Sequence, residues 1–176
     1  ALVSVYASTK DQRYYDELER IIKVIADAQR ADGYIHTSTI IKQRNNPQDA
    51  VEFEDRMNFE TYNMGHLMTA ASLHYRITGQ TNFLDIAIKA TDGTDHNQDR
   101  IPFRQQREAV GHAVRANYLY AGVADLYAET GEDSLMMALE SIWKDVVTKK
   151  LYITGATGAL YDGVSPNGTT YKQSII

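Results

Sequence analysis

A short motif recurs along this chain at a fixed distance, and it limits what the chain can fold into. Tyr75-x-x-Thr78-Gly79 followed by Phe83-Leu84-x-x-Ala87 returns 52 residues later as Tyr127-x-x-Thr130-Gly131 followed by Leu135-Met136-x-x-Leu139. A degenerate third copy is Tyr6-x-x-Thr9 followed by Tyr14-Tyr15-x-x-Leu18. Each copy reads as a helix, a tight turn and a returning helix, which is an αα-hairpin. Hairpins repeated at such a period bury their faces on their neighbours. An all-α fold of stacked αα-hairpins is therefore expected.

The apolar spacing between the turns is helical. From Asp11 the run Tyr15, Leu18, Ile22, Ile25, Ala26 marks one buried face, and Asp32-Gly33 reads as the helix exit. A loop is expected from Tyr34 to about Met57, then a helix capped by Asn58 and carrying Tyr62, Leu67, Ala70, Ala71 and Ile77. A short partner helix holds Phe83, Leu84, Ala87 and Ile88, and a second loop holds His96, Asp99 and Pro102. A long helix follows from about Glu108 to Glu129, then one from Asp133 to Val147; from Lys150 onward the chain reads as extended or loop. Small residues (Ala113, Ala116, Ala121, Gly122, Ala124, Ala128) are spread around the long helix, which suits an inner helix crowded by backbone on several sides. The Asp133–Val147 segment is amphipathic and suits an outer one. Inner-and-outer pairing is the arrangement of an (α/α) toroid, although an open solenoid has it too. A closed ring of six hairpins needs about 200 residues for its twelve helices, before any long loop is added. The spacing yields about six helices, or half a ring.

Composition narrows the function classes. The net charge of -5 offers no basic field for a nucleic-acid backbone. No apolar run approaches the roughly 18 residues of a membrane span. Ala1–Lys10 carries neither the charged nor the apolar region of a signal peptide. With no cysteine among the 176 residues, disulfides, thiolate metal ligands and a cysteine nucleophile are excluded within them.

Two Gly-His pairs, Gly65-His66 and Gly111-His112, are expected in the first turns of helices. A glycine inside a helix costs about 1 kcal/mol against alanine, so something must approach closely there. The functional reading is a sugar-binding or proton-handling histidine on the inner wall of a cavity. The simpler one is a core histidine beside a packing glycine; it explains either pair alone, whereas two pairs, each after a polar loop, favour the first. Glycoside hydrolysis usually takes two carboxylates flanking the bond. Glu60 and Glu108 are the best placed, each four to six residues ahead of its histidine, and either also suits the positive end of a helix. The histidine spacings define no metal site. The glycines of Tyr152–Gly158 imitate a dinucleotide-binding turn, but they lack a surrounding βαβ unit.

The segments Asp32-Gly33-Tyr34-Ile35-His36-Thr37, Glu60-Thr61-Tyr62-Asn63-Met64-Gly65-His66-Leu67, Ala109-Val110-Gly111-His112-Ala113-Val114-Arg115-Ala116 and Lys149-Lys150-Leu151-Tyr152-Ile153-Thr154-Gly155 resemble the bacterial β-L-arabinofuranosidases, glycoside hydrolase family 127, and their close relatives. The resemblance runs in order over nearly the whole chain. It implies part of an (α/α)6 barrel catalytic domain that releases L-arabinofuranose or a related sugar from plant glycans or glycoproteins. It also implies that His66 and His112 line the sugar pocket, with Tyr34 and His36 near it; Glu60, the carboxylate ahead of His66, is the further substrate-binding candidate. The family's nucleophile is a zinc-bound cysteine and its acid/base a glutamate; both are expected beyond Ile176, so no catalytic residue and no zinc is expected within this chain. A further hairpin of the family, carrying another histidine, is missing where Ala90-Thr91-Asp92 passes directly to Gly93-Thr94-Asp95. A carbohydrate is the expected partner, with neither nucleic acid nor membrane. A non-catalytic sugar-binding derivative and a helical-repeat scaffold are the alternatives, and the scaffold leaves the Gly-His pairs unexplained.

Overall fold

A computed structural model of the chain describes residues 1–52, 59–92, 101–110 and 113–157. Its helices are α1 (Leu2–Thr9), α2 (Gln12–Ala28), α3 (Thr37–Asn45), α4 (Glu60–Thr78), α5 (Asn82–Asp92), α6 (Ala113–Thr130) and α7 (Asp133–Lys149), with a 3-10 turn at Phe103–Gln105. Among the described residues there is no strand; Leu151 and Thr157 form an isolated antiparallel bridge. The expected all-α fold of αα-hairpins is what these residues form.

The repeated motif is a repeated hydrogen-bond pattern. At the end of α4, Gly79 takes φ 73° and its N–H donates to the Tyr75 carbonyl. At the end of α6, Gly131 takes φ 65° and donates to Tyr127. Lys10 stands in the glycine's place after α1, at φ 54°, and donates to Tyr6. In all three copies the threonine hydroxyl bonds back to the carbonyl four residues earlier, from Thr9 to Val5, Thr78 to His74 and Thr130 to Leu126. The same hydroxyl then accepts the N–H two residues on, from Asp11, Gln80 and Glu132. The left-handed residue ends each helix and the threonine starts the turn toward the next.

Three hairpins result: α1/α2, α4/α5 and α6/α7. The first packs on the second through α1 against α4 and α2 against α5, and the second meets the third mainly along α4 and α6. Their shared core contains Met68, Ala71, Phe83, Leu119, Val123, Leu126 and Leu135. On α7 the buried residues Leu135, Ala138, Ile142 and Val146 follow one stripe, the amphipathic pattern of the expected outer helix.

The approach of α4 to α6 is set by two glycines. A Cβ on Gly65 would lie 2.3 Å from the Tyr118 carbonyl oxygen, and one on Gly122 would lie 2.5 Å from the Gly65 carbonyl oxygen. Beside this seam Thr69 donates to Asp125, and Arg76 pairs with Glu129. Adding the 52-residue repeat to Gly65, Thr69 and Arg76 gives Asn117, Ala121 and Ala128, all exposed on α6. Among the described residues the face that α4 uses to accept its neighbour is thus exposed on α6, where the Asn117 amide donates to Thr157. Next to it, α6 and α7 border an apolar groove of about 1010 Å³ that includes Ala113, Ala124, Leu139 and Trp143, the last 67% exposed.

Several local expectations differ from the structure. The helix from Asp11 ends at Ala28, not at Gly33. The Gln29 side chain donates to the carbonyls of Gly33 and Ile86, holding a separate turn there. The supposed loop from Tyr34 to Met57 contains α3, opened by His36 at its N-cap. The expected cap Asn58 lies outside the described residues, and Phe59 occupies the N-cap position of α4. The long helix is described from Ala113 rather than Glu108. The reason lies at Ala109, whose N–H donates to Asp145 on α7 (2.9 Å) while its carbonyl accepts from Lys150, so these groups serve a long-range contact in place of a helix. The Leu151–Thr157 segment forms a tight turn with Gly155 at φ 86°, consistent with rejecting a nucleotide fold for it; Gly158 lies outside the described residues.

Candidate functional site

Four of the five expected sugar-site residues are described, and three of them meet. The Tyr34 hydroxyl donates to Glu60 Oε2 at 2.8 Å, and the Thr39 hydroxyl donates to Oε1 at 3.1 Å. His36 Nδ1 lies 3.0 Å from the Thr39 oxygen and 3.6 Å from Glu60 Oε1. The Thr39 N–H also approaches His36 Nδ1, at 3.5 Å, which caps α3.

Local chain geometry brings these groups together. Gly33, at φ 92°, turns the chain between Asp32 and Tyr34; Arg30 N–H donates to the Tyr34 carbonyl, and Asp32 accepts the Tyr34 N–H. The Arg30 guanidinium lies 5.0 Å from the Tyr34 ring centre and pairs with both Asp32 and Glu52. Glu60 is the first residue of α4, where a carboxylate also meets the positive helix end. Tyr34 is 2% exposed and Glu60 5%. Burial pushes the Tyr34 phenol well above its ordinary pKa and the nearby Glu60 adds to this, so Tyr34 acts as a neutral donor. The network ties α3, the 29–34 turn and α4 into one unit. Tyr34→Phe should lower unfolding stability by about 1.5 kcal/mol, because it removes a donor from a buried carboxylate; urea unfolding would measure it.

His66 belongs to a different face. Six residues along a helix place it about 120° around the axis from Glu60. Its ring is exposed on one side and packed between two tyrosines, 4.5 Å from Tyr62 and 4.7 Å from Tyr118 between ring centres. Tyr62 and Tyr118 are themselves 4.6 Å apart, edge to face. Partial burial and the second phenol hold the Tyr62 hydroxyl above its ordinary pKa. Phe59 adds a fourth ring, 6.5 Å from Tyr62, with the Arg115 guanidinium 5.0 Å from its centre. The close approach expected at Gly65 is made by the α6 backbone, and its consequence is to bring Tyr118 beside His66. Neither Tyr118 nor Thr39 was among the candidates. Tyr118 falls two residues beyond the Ala109–Ala116 segment, and a threonine gains its role only from the carboxylate it meets.

His112 lies outside the described residues. Glu108 is described, exposed, and outside any helix. His74, eight residues after His66, is fully buried, with Nε2 3.1 Å from Glu19, as a core histidine would be. Among the described residues no three His, Cys, Asp or Glu side chains are grouped to hold a metal, and the chain has no cysteine, so these residues do not fit the zinc centre that the resemblance implies. A cavity of about 190 Å³ lies between α2, residues 35–37 and α4, and the 1010 Å³ groove stands apart from both clusters on α4.

The chain matches the model of the β-L-arabinofuranosidase, glycoside hydrolase family 127 catalytic domain over residues 1–96 and 91–173. It belongs to that family. A non-reducing end β-L-arabinofuranosidase from Bifidobacterium longum subsp. longum is 25% identical to this family 127 chain over 245 residues, which takes in 89% of the chain and 36% of the relative. A solved structure described as a glycoside hydrolase is 44% identical, covers 97% of the chain and 34% of its own, and superposes with a TM-score of 0.41. A family 127 β-arabinofuranosidase structure is 27% identical, with 91% and 34% covered and a TM-score of 0.47. The family 127 β-L-arabinofuranosidase of Geobacillus stearothermophilus is 24% identical, with 92% and 36% covered and a TM-score of 0.47. The chain thus spans about a third of the length of these relatives.

Proposed function

We propose that this family 127 chain is the substrate-pocket part of a glycoside hydrolase that releases L-arabinofuranose or a related sugar from plant glycans. The observation that carries the reading is His66, held between Tyr62 and Tyr118 on an open face in a chain of this family. An imidazole among aromatic rings offers a hydrogen-bonding group for a sugar hydroxyl and apolar surface for its C–H bonds. His112 is assigned the same role by resemblance. Tyr34, His36 and Glu60, on another face of α4, are the network that fixes its start, with His36 the least enclosed side chain of the network and the one most open to a sugar.

The reading makes these residues part of an (α/α)6 barrel. The open acceptor face of α6, equivalent by the repeat to the α4 face that holds α6, supports it by leaving a place for a following hairpin. Two observations support a family segment being skipped near residues 92–93: the family matches in two stretches meeting at 91–96, and the alignment to the Bifidobacterium relative runs over 245 residues while using 89% of a 176-residue chain. The nucleophilic cysteine, the acid/base glutamate and the zinc implied by resemblance are assigned to residues other than these. Sugar binding without hydrolysis is then the expected behaviour of the 176 residues alone.

The test is calorimetric or NMR titration with L-arabinose. His66→Ala should weaken binding about tenfold or more, the effect of losing one hydrogen bond and its ring contact, while lowering the unfolding midpoint only slightly, because the ring packs on two tyrosines but is open on one side. Equal affinity in the two proteins would refute the assignment of His66.

A further inference from the structure

Asp145 on α7 and Lys150, the residue that ends it, are both buried, and their charged atoms lie 2.6 Å apart. A buried ion pair is weak evidence of a stabilising device, because apolar residues of similar volume often serve as well. This pair does something that apolar residues cannot. Asp145 Oδ2 accepts the Ala109 N–H at 2.9 Å, and Lys150 Nζ donates to the Ala109 carbonyl. Both backbone groups of one residue, itself buried and outside any helix, are thus held by side chains. The N–H belongs to the peptide plane before the Ala109 Cα and the carbonyl to the plane after it. Holding both planes fixes the two soft dihedrals of Ala109, and with them the direction in which the chain leaves it. His112 follows three residues later, and α6 begins one residue after that, at Ala113. Helix α6 is in turn seated on α4 by the Gly65–Gly122 contact. Covalent geometry therefore keeps His112 next to Ala113 and within about 11 Å of Ala109.

We propose that Asp145 and Lys150 are positioning residues for sugar binding, gripping the Ala109 backbone so that His112 is presented to the sugar that His66 contacts. The inference rests on the sugar-pocket reading, in which His112 has its role by resemblance. A binding group must be held within about 0.5 Å of its productive place, and the groups behind it do the holding. The entry to α4 has a device of the same kind. There a buried carboxylate, Glu60, is held by Tyr34 and Thr39 six residues ahead of His66. Each Gly-His pair thus follows a backbone entry that a buried carboxylate secures. At α4 that carboxylate belongs to the helix itself, whereas at α6 it is lent by α7 together with an ammonium.

Lys150→Met is the informative variant. It removes the donor to the Ala109 carbonyl, while Lys149 Nζ, 3.1 Å from Asp145 Oδ1, keeps a cation at the carboxylate. Two measurements on the 176-residue chain test it: titration with L-arabinose, and NMR of the imidazole resonances of the five histidines. Lys150→Met should weaken L-arabinose binding about tenfold, the effect of one misplaced hydrogen-bonding group. It should shift the His112 resonance and leave those of His36 and His66 in place. In a His112→Ala background the same substitution should cost no further affinity, because the pair acts through that ring. A merely structural role would give the same loss in both backgrounds. Should Lys150→Met not fold, Asp145→Asn serves in the same cycle, since it keeps an acceptor for the Ala109 amide. The positioning role is overturned if the His112 resonance does not move, or if the loss of affinity is equal with and without His112. The sugar-pocket reading fails with a different signature, no L-arabinose binding by the unaltered chain, and the role of the pair in sugar binding then fails with it.

Discussion

Replacing Gly65 by alanine should destabilise the chain by about 3 kcal/mol, toward the upper end for an overpacked core site. The added Cβ would stand 2.3 Å from the Tyr118 oxygen, 2.6 Å from its carbonyl carbon and 2.9 Å from the Leu119 nitrogen. All three atoms are backbone of α6, so no side chain can swing aside and the helices must separate along their length. The better helix propensity of alanine returns about 1 kcal/mol and does not reverse the sign. For a chain of this size the thermal midpoint should fall by about 6–12 °C. Gly122→Ala should act in the same direction, because its Cβ would lie 2.5 Å from the Gly65 oxygen. The double variant should cost less than the two single costs together, since one separation of the helices relieves both clashes. Gly79→Ala is the contrasting case: nothing lies within 4 Å of its added Cβ, and only the φ of 73° opposes it, so about 1 kcal/mol is expected. A Gly65→Ala protein with an unchanged midpoint would show that α4 and α6 do not pack in this way.

Asp145→Ala should cost about 3–5 kcal/mol, the range found when one partner of a buried ion pair is removed. Asp145 is 4% exposed and Lys150 2%, and their charged atoms are 2.6 Å apart. Asp145 also accepts the Ala109 N–H, while Lys150 donates to the Ala109 carbonyl. One carboxylate therefore neutralises a buried ammonium and helps pin a backbone segment 36 residues away. Its loss leaves both Lys150 and the Ala109 amide with less than they need. Asp145→Asn keeps an acceptor for the amide and should cost less than alanine. Asp145→Ala combined with Lys150→Met should recover part of the loss, because no ammonium is then buried without its carboxylate. Urea unfolding of the four proteins measures these differences. A double variant as unstable as Asp145→Ala alone would mean that the charge pair is not the source of the cost.

The hairpins were legible because their signals are local. A left-handed residue donating to the tyrosine carbonyl four residues back, and a threonine bonding within its own turn, need nothing from the rest of the chain. Lys10 shows that the geometry persists even where the favoured glycine is absent. Helix α3 was hidden because it is short and its apolar residues make no lasting period; His36 at its cap and the Thr39 bond to Glu60, 21 residues on, define it. The start of α6 was misplaced for a similar reason. Residues 108–110 have an acceptable helical pattern, but the Ala109 backbone is engaged by α7.

For the candidate site, residue types and resemblance singled out Tyr34, His36, Glu60 and His66, but not how they are grouped. Glu60 and His66 share a helix and a motif, yet point about 120° apart. One enters a buried network and the other an aromatic wall. What the amino-acid order determined by itself was the set of helices and turns, since each depends on groups within about one turn of one another. The tertiary structure alone decided which rings gather around His66, which carboxylate is buried, and where α6 departs from its pattern. Those outcomes depend on contacts between residues far apart in the chain, and only the packing of one helix backbone against another sets their distances.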